Sequence, residues 1–463
     1  MRASLLLLSS AFLIAGCATG PVPTLQATDV PTGWEQPIAI NAPVWPEQDW
    51  WQGFQSSDLN ALIAAVEAGN LDLAAAEQRI RQADARVRQA GASLLPNLGV
   101  SAGGSRSGNP GDANSFGDSF RAGFSASYEV DFWGANRAGL DAADAGRRGT
   151  IADRETVALT AVSGAANTYF QLLSLRERLA IARLNLDIAR SVLDVTESRV
   201  RNGIATPLEL SQQLGTIAGQ EAIIPDLEQQ LLETRAALAL LTGRPPEGFD
   251  IAGDNLDGIA TPNVAPGLPS ELLSRRPDIV AAEANLVAAH ADLVATRAAL
   301  FPSISLSAGG GTSSDLLLEL LNGPAATLSI GIALSQTIFD AGGRAAGNDA
   351  AEASQLEVLA NYRSTVISAF ADVEIALGAI THLAEQERYE MVQAAEAERS
   401  FDIIQSRYRE GVADYLALLD AQRTLYESRD SLGQLKLARL QAVVALFQAL
   451  GGGWQDETAL AAN

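Results

Sequence analysis

Between Phe120 and Val130 apolar and small polar side chains alternate strictly. Phe120, Ala122, Phe124, Ala126, Tyr128 and Val130 fall on one side, and Arg121, Gly123, Ser125, Ser127 and Glu129 on the other. Leu328, Ile330, Ile332 and Leu334 repeat the pattern against Ser329, Gly331, Ala333 and Ser335. Leu98, Val100 and Ala102 carry it in a third segment, and Ile304, Leu306 and Ala308 in a fourth. A period of two with one apolar face predicts four strands. Elsewhere the period lengthens: Leu159, Val162, Ala166, Tyr169 and Leu173 step by 3, 4, 3 and 4, and Leu359, Tyr362, Val366, Phe370, Val373, Leu377 and Ile380 average 3.5. That is a coiled-coil seam. No proline stands between Pro110 and Pro207 or after Pro324. A helix from near Gly134 to Asn202 would be about 100 Å long, far more than a globular core needs.

The pattern occurs twice. Leu94–Gly104 (LLPNLGVSAGG) is answered by Leu300–Gly310 (LFPSISLSAGG) at an offset of 206, Glu129–Gly139 by Thr337–Gly347, and Arg201–Ala205 (RNGIA) by Arg409–Ala413 (REGVA). Such order at nearly one offset, 206 or 208, means duplication. Each half is expected to begin with a helix ending at a proline, about Asp58 to Leu95 and about Ser270 to Phe301. A strand pair, a long helix and a return helix follow. The turns fall at Gly203, with Pro207 opening the return, and at Gly411, with Asp414 as N-cap. Pro225 predicts a kink in the first return helix. The resulting division is a signal peptide at 1–16, an extended arm at 17–57, repeats at 58–243 and 270–454 around a linker at 244–269, and a tail at 455–463.

On the strands alone, a soluble sandwich fits as well as a membrane barrel. The chain start shifts that balance: Arg2 and an apolar run from Leu5 to Ala15, too short to span a bilayer, read as an export signal. Ile14, Ala15, Gly16 and Cys17 resemble a bacterial lipobox, which implies acylation of Cys17, the sole cysteine. Four strands cannot close on themselves, and open edges cannot face lipid. Several copies must therefore share one barrel. The small inward residues favour three copies and twelve strands, which leave a lumen, over two copies and eight.

Composition narrows the function. With 32 Lys+Arg against 55 Asp+Glu, nucleic acid is an unfavourable partner. The two histidines, His290 and His382, lie in helical sequence outside any HExxH pattern, no GxxxxGK[ST] run occurs, and Gly309–Gly311 reads as a turn or bulge in strand sequence. No enzymatic activity, cofactor or metal is expected. A lipid-anchored coiled-coil spacer would explain the rods and Cys17 but leave the four strands without a purpose.

The run Ser274–Gly309 (SRRPDIVAAEANLVAAHADLVATRAALFPSISLSAG) closely resembles the outer-membrane lipoproteins of resistance-nodulation-division efflux pumps, a branch of the TolC-like outer-membrane factors. Trp50–Ile63, Asp131–Gly134 and Ile338–Arg344 resemble that family as well. The resemblance implies an α+β homotrimer, with a twelve-stranded barrel in the outer membrane continued by a periplasmic α-helical coiled-coil barrel. It further implies a periplasmic adaptor and an inner-membrane, proton-driven transporter as partners. The channel would conduct small molecules passively; the same architecture serving ATP-driven protein secretion is the alternative. The family's motif YLxLLD matches YLALLD here and implies gate rings at Leu416 and Asp420. From spacing alone, Leu416 reads rather as coiled-coil core and Asp420 as a solvated charge, and it is the resemblance that reverses this. Tyr408 matches the Tyr of a Tyr–Arg latch found in a more distant branch, but Ala413 stands where its Arg would be. The hairpin tips, around Gly203, Pro207, Gly411 and Tyr415, are the expected docking surface for the adaptor.

Overall fold

A computed structural model describes residues 22, 30–36, 45–109, 111, 116–264, 266–320 and 326–455. Cys17 and the export signal lie outside the described residues. The chain runs α1 (Ser57–Gly69), α2 (Leu71–Ala92), β1 (Asn97–Ser107), β2 (Gly117–Glu129), α3 (Ala135–Arg201), α4 (Pro207–Leu241), α5 (Pro277–Ala298), β3 (Ser303–Ser314), β4 (Ala326–Ser335), α6 (Gly343–Arg409) and α7 (Tyr415–Ala449). The long helices come in matched pairs: α3 and α6 have 67 residues each, α4 and α7 have 35 each. The chain divides into two compact units, each drawn from both halves of the sequence, and α3 and α6 contribute to both.

The first unit, Gln78–Ala152 with Val280–Thr365, holds the sheet. Its four strands are antiparallel in the order β1-β2-β3-β4. The register pairs Val100 with Phe124, Phe124 with Gly310 and Leu306 with Ile332, so the apolar positions anticipated from sequence share one face. On that face Leu98, Val100, Leu328, Ile330, Ile332 and Leu334 are 70–89% exposed. An aliphatic surface so open to solvent marks an interaction face. Gly309–Gly311 makes neither turn nor bulge but lies within β3, paired to Ser125, Phe124 and Gly123. The reason is space. A Cβ on Gly310 would lie 2.9 Å from the Phe124 ring, and one on Gly311 would lie 2.6 Å from the Ala122 carbonyl oxygen.

Each strand pair hands over to its long helix through an Asp–Arg clamp. The Asp131 carboxylate accepts the backbone N–H groups of Asn136 and Arg137 and the Arg137 Nε–H, while Arg137 Nη2 donates to the Asp131 carbonyl. Asp340 accepts from the backbone N–H of Arg344 and from its Nε–H, with Arg344 Nη2 donating to the Thr337 carbonyl. An acceptor at a helix start satisfies donors that the helix itself cannot. This gives the duplicated Asp-x-x-x-x-x-Arg and Asp-x-x-x-Arg segments a structural meaning.

The second unit comprises Gln26–Glu77, Asp153–Ile279 and Val366–Asn463. Its main core joins Phe54, Leu59 and Ile63 to Tyr169, Phe170 and Leu173 of α3, Leu238 of α4 and Val444 and Phe447 of α7. Trp50 stacks on Phe447 with ring centroids 4.8 Å apart, and the Ser56 and Tyr169 hydroxyls lie 3.1 Å apart. Two expected helices prove shorter. The first breaks at Asn70, between α1 and α2, because its Oδ1 accepts the N–H groups of Asp72 and Leu73 while Nδ2 donates to the Leu241 carbonyl at 2.9 Å. The other opens as a 3-10 turn at Pro269–Ser274 and becomes α-helical only from Pro277, where proline suits the first turn. α4 continues through Pro225 without a break.

Asn70 thus ends one helix, starts the next and ties both to the end of α4. Asn70→Ala is expected to lower the unfolding free energy by about 1–3 kcal/mol, the cost of leaving buried partners unsatisfied. Thermal denaturation followed by circular dichroism measures this, and Asn70→Asp, which keeps both acceptor bonds, should lose less.

Candidate functional site at the hairpin tips

Both hairpins turn by the same local mechanism. At the first, the Gly203 N–H donates to the Val200 carbonyl at 3.0 Å and the Ile204 N–H to the Arg199 carbonyl at 2.8 Å. At the second, Gly411 donates to Tyr408 at 3.0 Å and Val412 to Arg407 at 2.9 Å. Gly203 and Gly411 have φ of +69° and +81°, the left-handed region that this helix ending requires and that costs glycine little. The return helices are then capped: Thr206 Oγ1 accepts the Glu209 N–H ahead of Pro207, and Asp414 Oδ1 accepts the Ala417 N–H at 2.8 Å.

Of the residues anticipated at the tips, Gly203, Pro207 and Gly411 are exposed, beside the exposed side chains of Ile204, Leu208 and Val412. Tyr415 is not. It is buried, and its hydroxyl donates to Gln213 Oε1 at 2.9 Å, while Gln213 Nε2 donates to the Ala189 carbonyl at 2.7 Å. Tyr408 is buried beside it, ring centroids 6.0 Å apart, under the Arg199 guanidinium at 4.3 Å. Arg199 Nη1 also donates to the Tyr408 carbonyl, and the Tyr408 hydroxyl to Glu209 at 3.4 Å. Arg199, four residues ahead of Gly203 on the first hairpin, thus supplies the guanidinium that covers the Tyr408 ring. Sequence reasoning missed this residue. Its one signal is a cation one turn before a helix-ending glycine, which is also the commonest way to complement a helix dipole.

Leu416 and Asp420 lie on the open face of α7. Leu416 is 65% exposed, so it does not belong to the protomer's core. Asp420 is exposed too and accepts from Arg423 Nη2 at 3.0 Å, with Arg423 also 3.9 Å from Glu427. Leu418, Ala421, Gln422 and Leu425 take the opposite, buried face. Alternation at steps of 3 and 4 therefore separates a packing seam from a free stripe on one helix. That stripe borders a groove of about 910 Å³ between α3, α4 and α7.

Farther along α7 the buried seam is polar. Gln422 Nε2 donates to the Tyr426 hydroxyl at 2.5 Å, which donates to the Asn185 carbonyl at 2.8 Å, and Arg429 Nη1 donates to Asn185 Oδ1 at 3.3 Å. Arg178 and Asp430 form a two-pronged ion pair at 2.7 and 3.3 Å. Burial disfavours the phenolate, so Tyr408 and Tyr415 are pushed above the ordinary value of 10.0 and Tyr426 is pushed up to about 12.

Because these folded-state values are raised, their contribution to stability is complete below the unfolded value and is lost as the unfolded chain ionises ahead of the folded one. The contribution of these tyrosines to hairpin stability should therefore stay constant up to about pH 10 and fall between pH 10 and about 12. Chemical denaturation across that range tests it, and Tyr426→Phe should flatten the decline.

Comparison with known proteins places this geometry. The profile described as outer membrane efflux protein matches residues 62–244 and 268–452. The chain is 42% identical over 464 residues to the pyoverdine export outer membrane protein OpmQ of Pseudomonas aeruginosa, covering 98% of each chain. It is 29% identical to the probable outer membrane lipoprotein SilC of Salmonella typhimurium, covering 98% of this chain and 100% of that one. A crystal structure of CusC, from work on its folding and transmembrane channel formation, superposes with a TM-score of 0.83 at 30% identity, covering 94% of this chain and 99% of that one. With its four-stranded sheet and paired helical hairpins, the chain belongs to the outer membrane efflux protein family, and it is an outer-membrane exit duct for efflux.

Proposed function

We propose that three copies of this chain form the duct of a tripartite pump, with twelve strands closing a barrel in the outer membrane and the hairpins forming a periplasmic helical tube. The observation that carries this reading is the sheet itself. Among the described residues β1 pairs with β2 alone and β4 with β3 alone, leaving each one free edge, on a sheet whose apolar face is open. In hydrocarbon those free N–H and C=O groups must find partners, and the remaining partner of β1 is the β4 of another copy. The opposite face, with Gly99, Ser101, Ser125, Ser127, Ser305 and Ser307, is small and polar enough to leave a water-filled lumen.

In this assembly a periplasmic adaptor engages the hairpin tips at Gly203, Pro207 and Gly411, meeting the apolar Ile204 and Val412. An inner-membrane transporter supplies cargo and energy. Leu416 and Asp420 project from the free stripe of α7 and form two stacked rings: three leucines that dewet a narrow passage, then three carboxylates that favour cations. Arg423 holds each Asp420 from within its own protomer. Cys17 carries the fatty acyl groups that fix the chain to the outer membrane. Several chains anchor stably where one binds only marginally.

Single-channel conductance in a planar bilayer tests the gate. The wild type should conduct weakly and the Leu416→Ala, Asp420→Ala pair several-fold more. Equal currents would remove the gate from these residues while leaving the duct. Metabolic labelling with a radioactive fatty acid tests the anchor: label should follow the wild-type chain and be absent from Cys17→Ser.

A further inference from the structure

The groove behind the free stripe of α7 is a half-open cleft between three helices. Its floor is α3, with Ile181 and Ala182; its walls are α4, with Ile223 and Leu227, and α7, with Leu416 and Leu419. About 910 Å³ is the size of sites that hold a drug-sized molecule. Around this apolar surface stand two guanidiniums, Arg178 and Arg423, against four carboxylates, Asp226, Asp420, Glu427 and Asp430. The surplus is two negative charges. The cations are already engaged: Arg178 by both oxygens of Asp430, Arg423 by Asp420 and, at 3.9 Å, by Glu427. Asp226 accepts only the neutral Gln230 amide at 2.8 Å among its described partners, and Glu427 has only its distant share of Arg423.

We infer that this groove binds organic cations with an apolar body, one per chain, directly beside the gate. The inference rests on the duct reading above, in which the free stripe of α7 faces the lumen. Two features select the class. Aliphatic side chains from all three helices reward a hydrophobic body, and Asp226 and Glu427, on opposite walls, offer under-compensated charge to a cationic one. A hydrophobic anion meets the same apolar surface and the opposite field, so charge discriminates between molecules of one shape. Bound next to Arg423, the cation competes with the guanidinium for Asp420 and Glu427. Occupancy thereby loosens the contact that ties Asp420 to its own protomer.

The test uses the full-length protein in detergent with rhodamine 6G as the fluorescent probe, read by polarisation against a detergent-only blank. Tetraphenylphosphonium and tetraphenylborate are the competitors, alike in shape and opposite in charge. Saturable binding at one probe per chain is expected, displaced by tetraphenylphosphonium at concentrations at least about tenfold below those of tetraphenylborate. The Asp226→Asn, Glu427→Gln pair should weaken the probe about tenfold, and Ile223→Ser should weaken both competitors alike. Neither set touches Leu416 or Asp420. Equal potency of the two competitors, or binding indifferent to the groove substitutions in variants that remain folded trimers, overturns the inference. If the Leu416→Ala, Asp420→Ala pair leaves conductance unchanged while the probe still binds as described, the gate assignment fails and the groove stands. If the gate responds and the probe does not bind, the reverse holds.

Discussion

A β-strand leaves half of its backbone hydrogen-bonding groups for a neighbour, and this sheet stops with β1 and β4 each lacking one. In water such an edge is tolerable. In hydrocarbon each orphaned group costs several kcal/mol, so the protomer cannot be a finished object where its apolar face belongs. Much else follows. The strands alternate aliphatic and small polar residues because one face meets lipid and the other must leave room. Glycines stand at 310 and 311 because the Phe124 ring and the Ala122 carbonyl approach there too closely for a side chain. A sheet with free edges, a lipid face and a spacious inner face commits the chain to self-association before any helix is considered.

Duplication supplied two hairpins with one turning mechanism, and divergence gave them different tasks. Ile204 and Val412 occupy equal places after their glycines and are equally open, as are Leu208 and Leu416, each 65% exposed. The two hairpins part company in what they send across. Tyr408, Tyr415 and Tyr426 all come from the second and end on Glu209, Gln213 and Asn185 of the first. The positions answering them in the first repeat are Val200, Pro207 and Ala218, none of which can donate a side-chain hydrogen bond. The second hairpin is thus the one that grips, and also the one that carries Leu416 and Asp420 on its free stripe.

Much of this is legible in the residues because each part rests on a local rule. A two-residue period places Phe124 and Ile332 on one face, a proline-free heptad run places α3 and α6, and glycine followed by Pro207 or Asp414 places the turns. What escaped reading depends on groups far apart in the chain. Nothing near Asn70 announces that its amide will reach the Leu241 carbonyl and break a helix. Tyr415 looks like a tip residue until Gln213, two hundred positions earlier, claims its hydroxyl. Gly309–Gly311 reads as a turn because glycine is ordinarily punctuation, and only the facing Phe124 makes it a seat. For Leu416 the ambiguity was between core and free surface, which spacing cannot decide and the packing of Leu418, Ala421 and Leu425 on the other side of α7 does.

The distribution of contact types within the second unit indicates where a duct of this kind yields. Around Trp50, Phe54, Phe170 and Phe447 the packing is aromatic and aliphatic, and each large side chain removed from water contributes about 1.5–3 kcal/mol. Separating helices there would expose many such groups at once. Toward the tips a smaller apolar cluster with Val192, Phe401, Leu418 and Leu425 is interleaved with hydroxyl, amide and guanidinium contacts: Tyr408 to Glu209, Tyr415 to Gln213, Arg429 to Asn185, Arg178 to Asp430. A hydrogen bond exchanged for one to water changes the free energy by only about 0.5–1.5 kcal/mol. Gln422 retains a buried Oε1 and Arg199 a buried Nε without a partner, so this arrangement leaves polar groups unsatisfied. The join near the tips therefore holds more of its contacts in polar groups that water can replace than the cluster around Trp50 and Phe447 does.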